Sequence, residues 1–339
     1  MKVNSLLLIV FSICSIAVSA QKKDSLSIEN LVFEGAGIRG IAYCGALMEL
    51  DERGYLSCID KVAGTSSGAI TACLVAIGYT PMETFNIIGS TDFEKFNDGK
   101  LGVVGGVSRL RRKLGYYKGQ EFLHWLEDLI EKKTGNKNLT FRDIQKARAS
   151  QASCTYKELV IAATSLNHQR TILFSVADYP DMRIADAVHA SMAIPLYFEP
   201  VIVDQQGKVV SFDDMRPEHH LCVDGGFTAN FVITCFDLNG ESAPTLGLRM
   251  DSDAQIAEDK TDRELAYQHI ASASDFMGAF YYIIKETLNR QALTEEDWRR
   301  TVSISDCGMS PKVKRLSKKE KQMMIDAGRR AVKDYVTGN

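Results

Sequence analysis

The chain predicts a layered α/β protein whose central sheet is covered on both faces. Three observations carry that expectation. Short apolar runs alternate with helical segments along most of the 339 residues. Several of those runs are apolar throughout, the pattern of strands buried on two sides rather than one. Two glycine-rich turns follow such runs directly, Gly35-Ala36-Gly37-Ile38-Arg39-Gly40 after Leu31–Glu34 and Gly64-Thr65-Ser66-Ser67-Gly68 after Val62-Ala63.

In chain order, the expected strands are Leu31–Glu34, Lys61–Thr65, Leu159–Thr164, Thr171–Ser175, Leu221–Asp224, Thr245–Met250 and Val302–Ser305. Helix starts are marked by chemistry. Thr80-Pro81-Met82-Glu83 supplies a capping hydroxyl, proline at the first helical position and a glutamate that reaches back. Thr140 is placed to cap a helix from Phe141. Ser317-Lys318-Lys319-Glu320 opens a final helix with Met323, Met324, Ala327, Ala331 and Tyr335 on one side. Phe276, Met277, Phe280, Tyr281, Ile284 and Leu288 recur at helical spacing and read first as core, second as in part a binding-site wall or lid. Asp98–Lys118 and Asp204–His220 read as long loops, and Asp251–Asp262 as a polar, mobile segment.

The first twenty residues stand apart. Lys2 precedes an apolar stretch from Leu6 to Val18, and Val18-Ser19-Ala20 offers small residues before a polar tail. This is the layout of a secretory signal peptide cut after Ala20, with 21–27 as a linker and 28–335 as one domain. The exported protein would be periplasmic or secreted. Cleavage removes one lysine and no acid, so the formal net charge moves from −3 to −4, which excludes a nucleic-acid binder by bulk charge. Seven scattered cysteines would remain, with no CxxC pair to hold zinc and an odd count that leaves one unpaired. No metal or cofactor is implied.

Ser66 is the candidate nucleophile. Its hydroxyl needs a base and a fixed position, and the Gly-x-Ser-x-Gly spacing puts it on a sharp strand-to-helix turn before Ala69–Ala76. Ser67 is the competing hydroxyl, off the central position. The first glycine turn also fits the dinucleotide fingerprint, but the next strand runs into the serine turn and no acid ends it, so the ribose contact is missing. Its N–H groups suit an oxyanion instead. Arg39 would support that loop, bind a phosphate, or form a surface ion pair. Of the histidines, His189 reads as a satisfied core residue, while His219 and His220 stay open as bases. Asp224, ending Leu221-Cys222-Val223 before Gly225-Gly226, is the other base candidate; Asp-Gly-Gly is equally turn chemistry.

The first glycine turn, the serine turn and Asp224-Gly225-Gly226, in that order, resemble the patatin-like phospholipases. Ala190-Ser191-Met192-Ala193-Ile194-Pro195, Gly119-Gln120-Glu121-Phe122 and Thr140-Phe141-Arg142-Asp143 add to the likeness, which runs from about Ile28 to Tyr335. The resemblance implies a three-layer α/β/α sandwich with a mainly parallel sheet. It also implies a Ser66–Asp224 dyad acting through an acyl-enzyme, without metal. The oxyanion donors would be Gly35, Ala36, Gly37 and Ser67, with Arg39, Gly40, Gly64, Gly68, Gly225 and Gly226 in support. Ala36 stands where the family has glycine, so a positive φ there would be strained. Asn230-Phe231-Val232 lacks the family's proline.

The expected activity is lipid acyl-ester hydrolysis of the phospholipase A or lysophospholipase type. The alternatives are a generic carboxylesterase or thioesterase, and a catalytically silent lipid-binding protein. The substrate partner would be a phospholipid or another acyl ester. Arg109, Arg111, Arg112 and Lys113 suit either a peripheral contact with a membrane surface or an ordinary solvated basic face.

Overall fold

The computed structural model describes residues 27–99, 102–150, 155–261, 263–310 and 315–338. The expected signal peptide, most of the linker and Cys154 lie outside them. The amino-terminal half contains β1 (Asn30–Phe33), α1 (Ala42–Glu52), β2 (Lys61–Thr65), α2 (Ser67–Ala76) and α3 (Pro81–Ser90). After these come α4 (Gly102–Lys113), β3 (Gly115–Tyr117), α5 (Gln120–Thr134) and α6 (Phe141–Ala149). The middle holds β4 (Glu158–Ser165), β5 (Arg170–Phe174), α7 (Ile184–Ser191), β6 (Leu196–Phe198), β7 (Val201–Val203), β8 (Val209–Val210) and β9 (His220–Asp224). The chain continues through β10 (Thr245–Asp251), α8 (Asp253–Asp259), α9 (Ala273–Arg290), α10 (Glu295–Arg299), β11 (Thr301–Ser305) and α11 (Lys318–Thr337).

The helix-start chemistry operates as expected. Thr80, Thr140 and Ser317 each accept from the backbone three residues on, and Glu83, Asp143 and Glu320 reach back to complete a capping box. In α11, Met324 and Ala327 are buried and Met323, Ala331 and Tyr335 pack against the same core.

The central sheet is parallel across β11, β10, β1, β2 and β4. It turns antiparallel at β5, β9, β7 and β8. Side chains alternate across it, as a pleated strand requires. Leu31 and Phe33, Val62, Leu159 and Ile161 face a large core built with α1, α2, α7 and α11. Val32, Ala63, Val160 and Ala162 face the other way, onto Phe231, Val232, Ile233 and Phe236. Two covered faces make the three-layer sandwich and explain the uninterrupted apolar strands.

One register decides where the site forms. Ala162 pairs with Thr65 of β2 and Leu173 of β5, while Ala163 pairs with Ile172 of β5 and Asp224 of β9. β5 runs along one edge of β4 past both alanines. Thr65 and Asp224 therefore share the opposite edge, and β2 and β9 run toward each other along it.

Three segments differ from the sequence expectation. Asp98–Lys118 contains α4 and β3 rather than a loop: Gly105 and Gly106 are buried, and the Tyr116 ring lies where a Cβ on Gly106 would project. Glycines there serve packing, not a turn. Asp204–His220 contains β8 and a short 3-10 turn. Of Asp251–Asp262, the described residues 251–261 are built around α8, with Asp251 buried between Arg249 and Arg290. In α9, Phe276 and Leu288 are exposed rather than core; the side chains of Met277, Phe280, Tyr281 and Ile284 lie outside the described set.

Candidate active site

Ser66 sits where β2 gives way to α2, with φ 54° and ψ −125°. That backbone region is costly for a residue with a side chain, of order 1–3 kcal/mol, and strain of this kind concentrates at functional turns. The flanking glycines make the turn tight. A Cβ on Gly64 would run into the Gly68 backbone, and one on Gly68 into the Phe33 and Glu34 carbonyls. The turn therefore packs against the end of β1, where the first glycine loop begins.

Three consecutive residues at the end of α7 hold both halves of the proposed pair. Ser191 Oγ accepts from the Ser66 N–H at 2.8 Å and donates to the Ala162 carbonyl at 2.6 Å. The Ser66 hydroxyl lies 3.6 Å from the Met192 sulfur. The Ala193 carbonyl accepts from the Asp224 N–H at 2.9 Å. Asp224 Oδ1 also accepts from the Gly226 N–H at 2.7 Å, and the Asp224 carbonyl from Thr164 at 3.0 Å. Gly225 packs so closely that a Cβ would stand 2.6 Å from the Ala162 carbonyl and 2.7 Å from Thr65 Cγ2. The residue after the carboxylate thus touches the residue before the hydroxyl. Ser66 and Asp224 are both buried, each 7% exposed.

His219 and His220 lie at the far end of β9, away from this junction. His220 Nδ1 is 2.8 Å from Ser165 Oγ and 3.0 Å from His168 Nδ1, and His219 Nδ1 accepts from the Arg216 N–H. Neither serves Ser66. His189 is buried as expected but not satisfied, because its Nε2 has no hydrogen-bond partner among the described residues. Burial pushes its imidazole down to about 4, against the opposing pull of Asp186, Asp98 and Glu127.

The first glycine loop departs from expectation at two of its donors. The Gly35 N–H is taken by the Asn230 carbonyl at 3.1 Å, and the Ala36 N–H by Ser67 Oγ at 3.0 Å. Ser67 therefore braces the loop with its hydroxyl rather than competing as a nucleophile. Ala36 has φ −130° and carries no strain; the left-handed position is Gly37, at φ 57°. The N–H groups of Gly37 and Ser67 have no partner among the described residues.

Arg39 supports the loop. Its Nε donates to the Ala36 carbonyl at 3.1 Å and its Nη1 pairs with Asp306 at 3.1 Å. Beneath the loop, Asn230 Nδ2 donates to Glu34 Oε1 and to the Gly35 carbonyl, each at 3.0 Å. Glu34 Oε2 accepts from the Met250 N–H at 2.8 Å. Behind it lies a buried ionic network. Fully buried Arg249 meets Asp251 at 2.9 Å, Glu286 at 3.1 Å and Glu34 at 3.6 Å, with its guanidinium over the Phe231 and Trp298 rings. Burial works to raise Asp251, but Arg249 and Arg290 hold it below the ordinary carboxylate range.

From Ser66 an apolar slot of about 80 Å³ runs between Ile70, Phe96, Phe122, Ile194 and Phe198, with Gly37 and Ser67 at its polar end. Phe96 packs edge-on to Phe122 at 5.4 Å and against Trp125 at 5.3 Å. Asp98 ties this wall down. Its carboxylate accepts from the N–H groups of Lys118, Gly119, Gln120 and Glu121 at the start of α5. Among the described residues, no group of three or more His, Cys, Asp or Glu side chains is placed to hold a metal ion. No disulfide joins them either, and Cys44, Cys73 and Cys222 are buried thiols.

Sequence reasoning missed the roles of Ser191, Ala193, Asn230, Phe96 and Asp98. Ser191 and Ala193 stood inside a recognised block, yet nothing in the sequence says what they touch.

A strained serine elbow on a mainly parallel sheet, bordered by a glycine loop and an apolar slot, defines an α/β fold of the hydrolase type. The sequence profile of the patatin-like phospholipases matches residues 31–236. The chain belongs to that family, whose shared activity is lipid acyl hydrolysis. It is 28% identical over 310 residues to the uncharacterized protein YqhO of Bacillus subtilis, covering 88% of this chain and 94% of that one. It is 26% identical over 206 residues to the probable lipid hydrolase 463L of Invertebrate iridescent virus 6, covering 60% of this chain and 62% of that protein. Among solved structures, VipD from Legionella pneumophila superposes with a TM-score of 0.58 at 14% identity, covering 92% of this chain and 67% of VipD. At that identity the likeness is one of fold alone.

Proposed function

We propose that this protein hydrolyses lipid acyl esters through a Ser66–Asp224 dyad. The observation that carries the reading is the head-to-head arrival of β2 and β9 on one edge of β4, which delivers a strained serine and a carboxylate to one buried point beside an apolar slot.

Asp224 takes the proton from Ser66 as its oxygen attacks the ester carbonyl. The Gly37 and Ser67 N–H groups hold the oxyanion, and the positive end of α2 adds to them. The alcohol leaves with the proton, and the acyl chain stays in the slot between Ile70, Phe96 and Phe122. Water then repeats the sequence in reverse to free the acid. Losing one oxyanion donor costs about 100- to 1000-fold in kcat, so the donors rank with the dyad.

A fluorophosphonate probe with peptide mapping tests the nucleophile. The expected result is one adduct, on the peptide containing Ser66, that vanishes in Ser66→Ala together with ester hydrolysis. Asp224→Asn should keep the fold and lose at least about 1000-fold in kcat. An adduct elsewhere, or turnover surviving in Ser66→Ala, overturns the assignment. A chain-length series separates a lipid hydrolase from a short-chain carboxylesterase, since the slot beyond its polar end is lined by Ile70, Phe96, Phe122 and Phe198. The amino-terminal segment supports export, and a mature chain beginning at Gln21 is its test.

A further inference from the structure

We infer that the mouth of the slot is a docking surface for an anionic lipid bilayer, formed by α4 together with Leu114 and Leu196. The inference rests on the reading of the slot as the acyl-chain site, but the surface is argued from its own residues.

Leu196 is the starting point. It lies between Ile194 and Phe198, which both line the slot, yet it is 66% exposed. Its φ is 67°, the left-handed region. Leu114 is 41% exposed with φ 62°. The two are neighbours in space, because Gly115 pairs with Leu196 where β3 meets β6. A leucine in that conformation costs of order 1–2 kcal/mol, and at 41% and 66% exposure these two recover only part of the gain of full burial. Neither backbone preference nor core packing accounts for leucine at these two positions. Insertion into an apolar phase outside the protein does.

Charge selects the phase. Residues 102–118 contain Arg109, Arg111, Arg112, Lys113 and Lys118 and no acidic residue, in a chain whose net charge is negative. α4 packs inward through Gly105 and Gly106, and Arg109 Nε is spent on the Tyr116 carbonyl. Lys113 faces Asp213 at 3.5 Å. The outward side carries Val104, 77% exposed, then Val107, then Arg111 and Arg112, which have no carboxylate partner among the described residues. Apolar and cationic groups on one exposed helix face, followed by two exposed leucines, one of them between the slot-lining Ile194 and Phe198, match a bilayer interface carrying anionic headgroups. An acidic protein partner would answer to the arginines but not to the strained leucines.

The test uses full-length Ser66→Ala protein, so that binding is read without hydrolysis, and sedimentation with phosphatidylcholine vesicles that contain or lack phosphatidylserine. Binding should be stronger with phosphatidylserine and weaken with salt. Arg111→Glu with Arg112→Glu should lower the partition by about tenfold or more on anionic vesicles, with a smaller change on neutral ones. Leu196→Asn with Leu114→Asn should lower it on both. Asparagine tolerates a left-handed φ better than leucine, so the melting temperature should hold or rise while binding falls; a purely structural role would move both downward. Undiminished binding in either double variant, or no vesicle binding at all, overturns the inference. Vesicle binding as expected, together with no fluorophosphonate adduct on Ser66 of the native chain, would leave the docking surface standing and remove the hydrolase reading.

Discussion

Thr65 and Asp224 pair with consecutive residues, Ala162 and Ala163, on the same edge of β4. Because β2 is parallel to β4 and β9 antiparallel, each strand ends where the other ends. The serine that follows Thr65 and the aspartate that closes β9 leave the sheet at one place. The proposed Ser66–Asp224 dyad rests on this meeting of strand ends.

Gly225 is the tightest point of that junction, and Gly225→Ala is its most direct probe. The added Cβ would stand 2.6 Å from the Ala162 carbonyl and 2.7 Å from Thr65 Cγ2, so the strand ends must separate. A displacement near 1 Å at reacting groups costs about 100-fold. The expected outcome is a kcat lower by about that factor with the protein still folded, read on a short-chain ester alongside a thermal melt. Unchanged kcat would mean that the approach of the two ends does not govern the chemistry.

Ser191 pins the Ser66 N–H and the Ala162 carbonyl together. Ser191→Ala leaves a buried N–H unpaired and frees a strained turn. Loss of such a bond is worth about 1–1.5 kcal/mol, which corresponds to about tenfold in rate if it is felt in the transition state. Steady-state kinetics should show the fall in kcat with KM little altered. A change confined to KM would point to substrate binding instead.

Arg249 is fully buried among Glu34, Asp251 and Glu286. Arg249→Met removes one of the two arginines that neutralise the cluster, leaving Arg290 alone against Asp251 and Glu286, and breaking a buried ion cluster from one side costs about 3–5 kcal/mol. Urea unfolding at neutral pH should show a drop of that order. Because Glu34 carries Asn230 and Asn230 carries the Gly35 carbonyl, any folded fraction should also label more slowly with a fluorophosphonate.

His189 makes the fold acid-sensitive. Its folded pKa of about 4 lies below the unfolded value of about 6.5, so the unfolded chain takes up the proton first. The stability tied to the neutral ring is whole above about pH 6.5. It is lost as pH falls toward 4, to the extent of roughly 3 kcal/mol. His189→Gln should lose less stability than the native chain between neutrality and about pH 4.5, measured as urea midpoints. Equal losses in both would place the acid sensitivity elsewhere.

Much of the frame was legible in the sequence because local chemistry dictates it. Pro81 with its flanking Thr80 and Glu83 can hardly begin anything but a helix, and Leu31–Phe33 has no polar face to turn to water. The serine elbow was legible for the same reason: Gly64 and Gly68 are required by contacts within a few residues of Ser66 and with the adjacent strand end. α4 was not legible, since its glycines look like turn residues until Tyr116 is seen packing over Gly106. Nor was the engagement of the Gly35 and Ala36 N–H groups, because Asn230 and Ser67 reach them only after folding.

Local sequence specifies the parts and their order: buried strands, capped helices, a tight serine turn, a glycine loop and an aspartate at a strand end. These follow from side-chain volume, polarity and backbone freedom, which act over a few residues. Folding alone brings those parts together: the shared edge of β4, the Ser191–Ala193 strap, the open N–H groups of Gly37 and Ser67 and the aromatic slot. Those depend on strand register and on contacts between residues distant in the chain, as far as Ser66 from Ser191, and no local pattern specifies which of two sheet edges a strand will join.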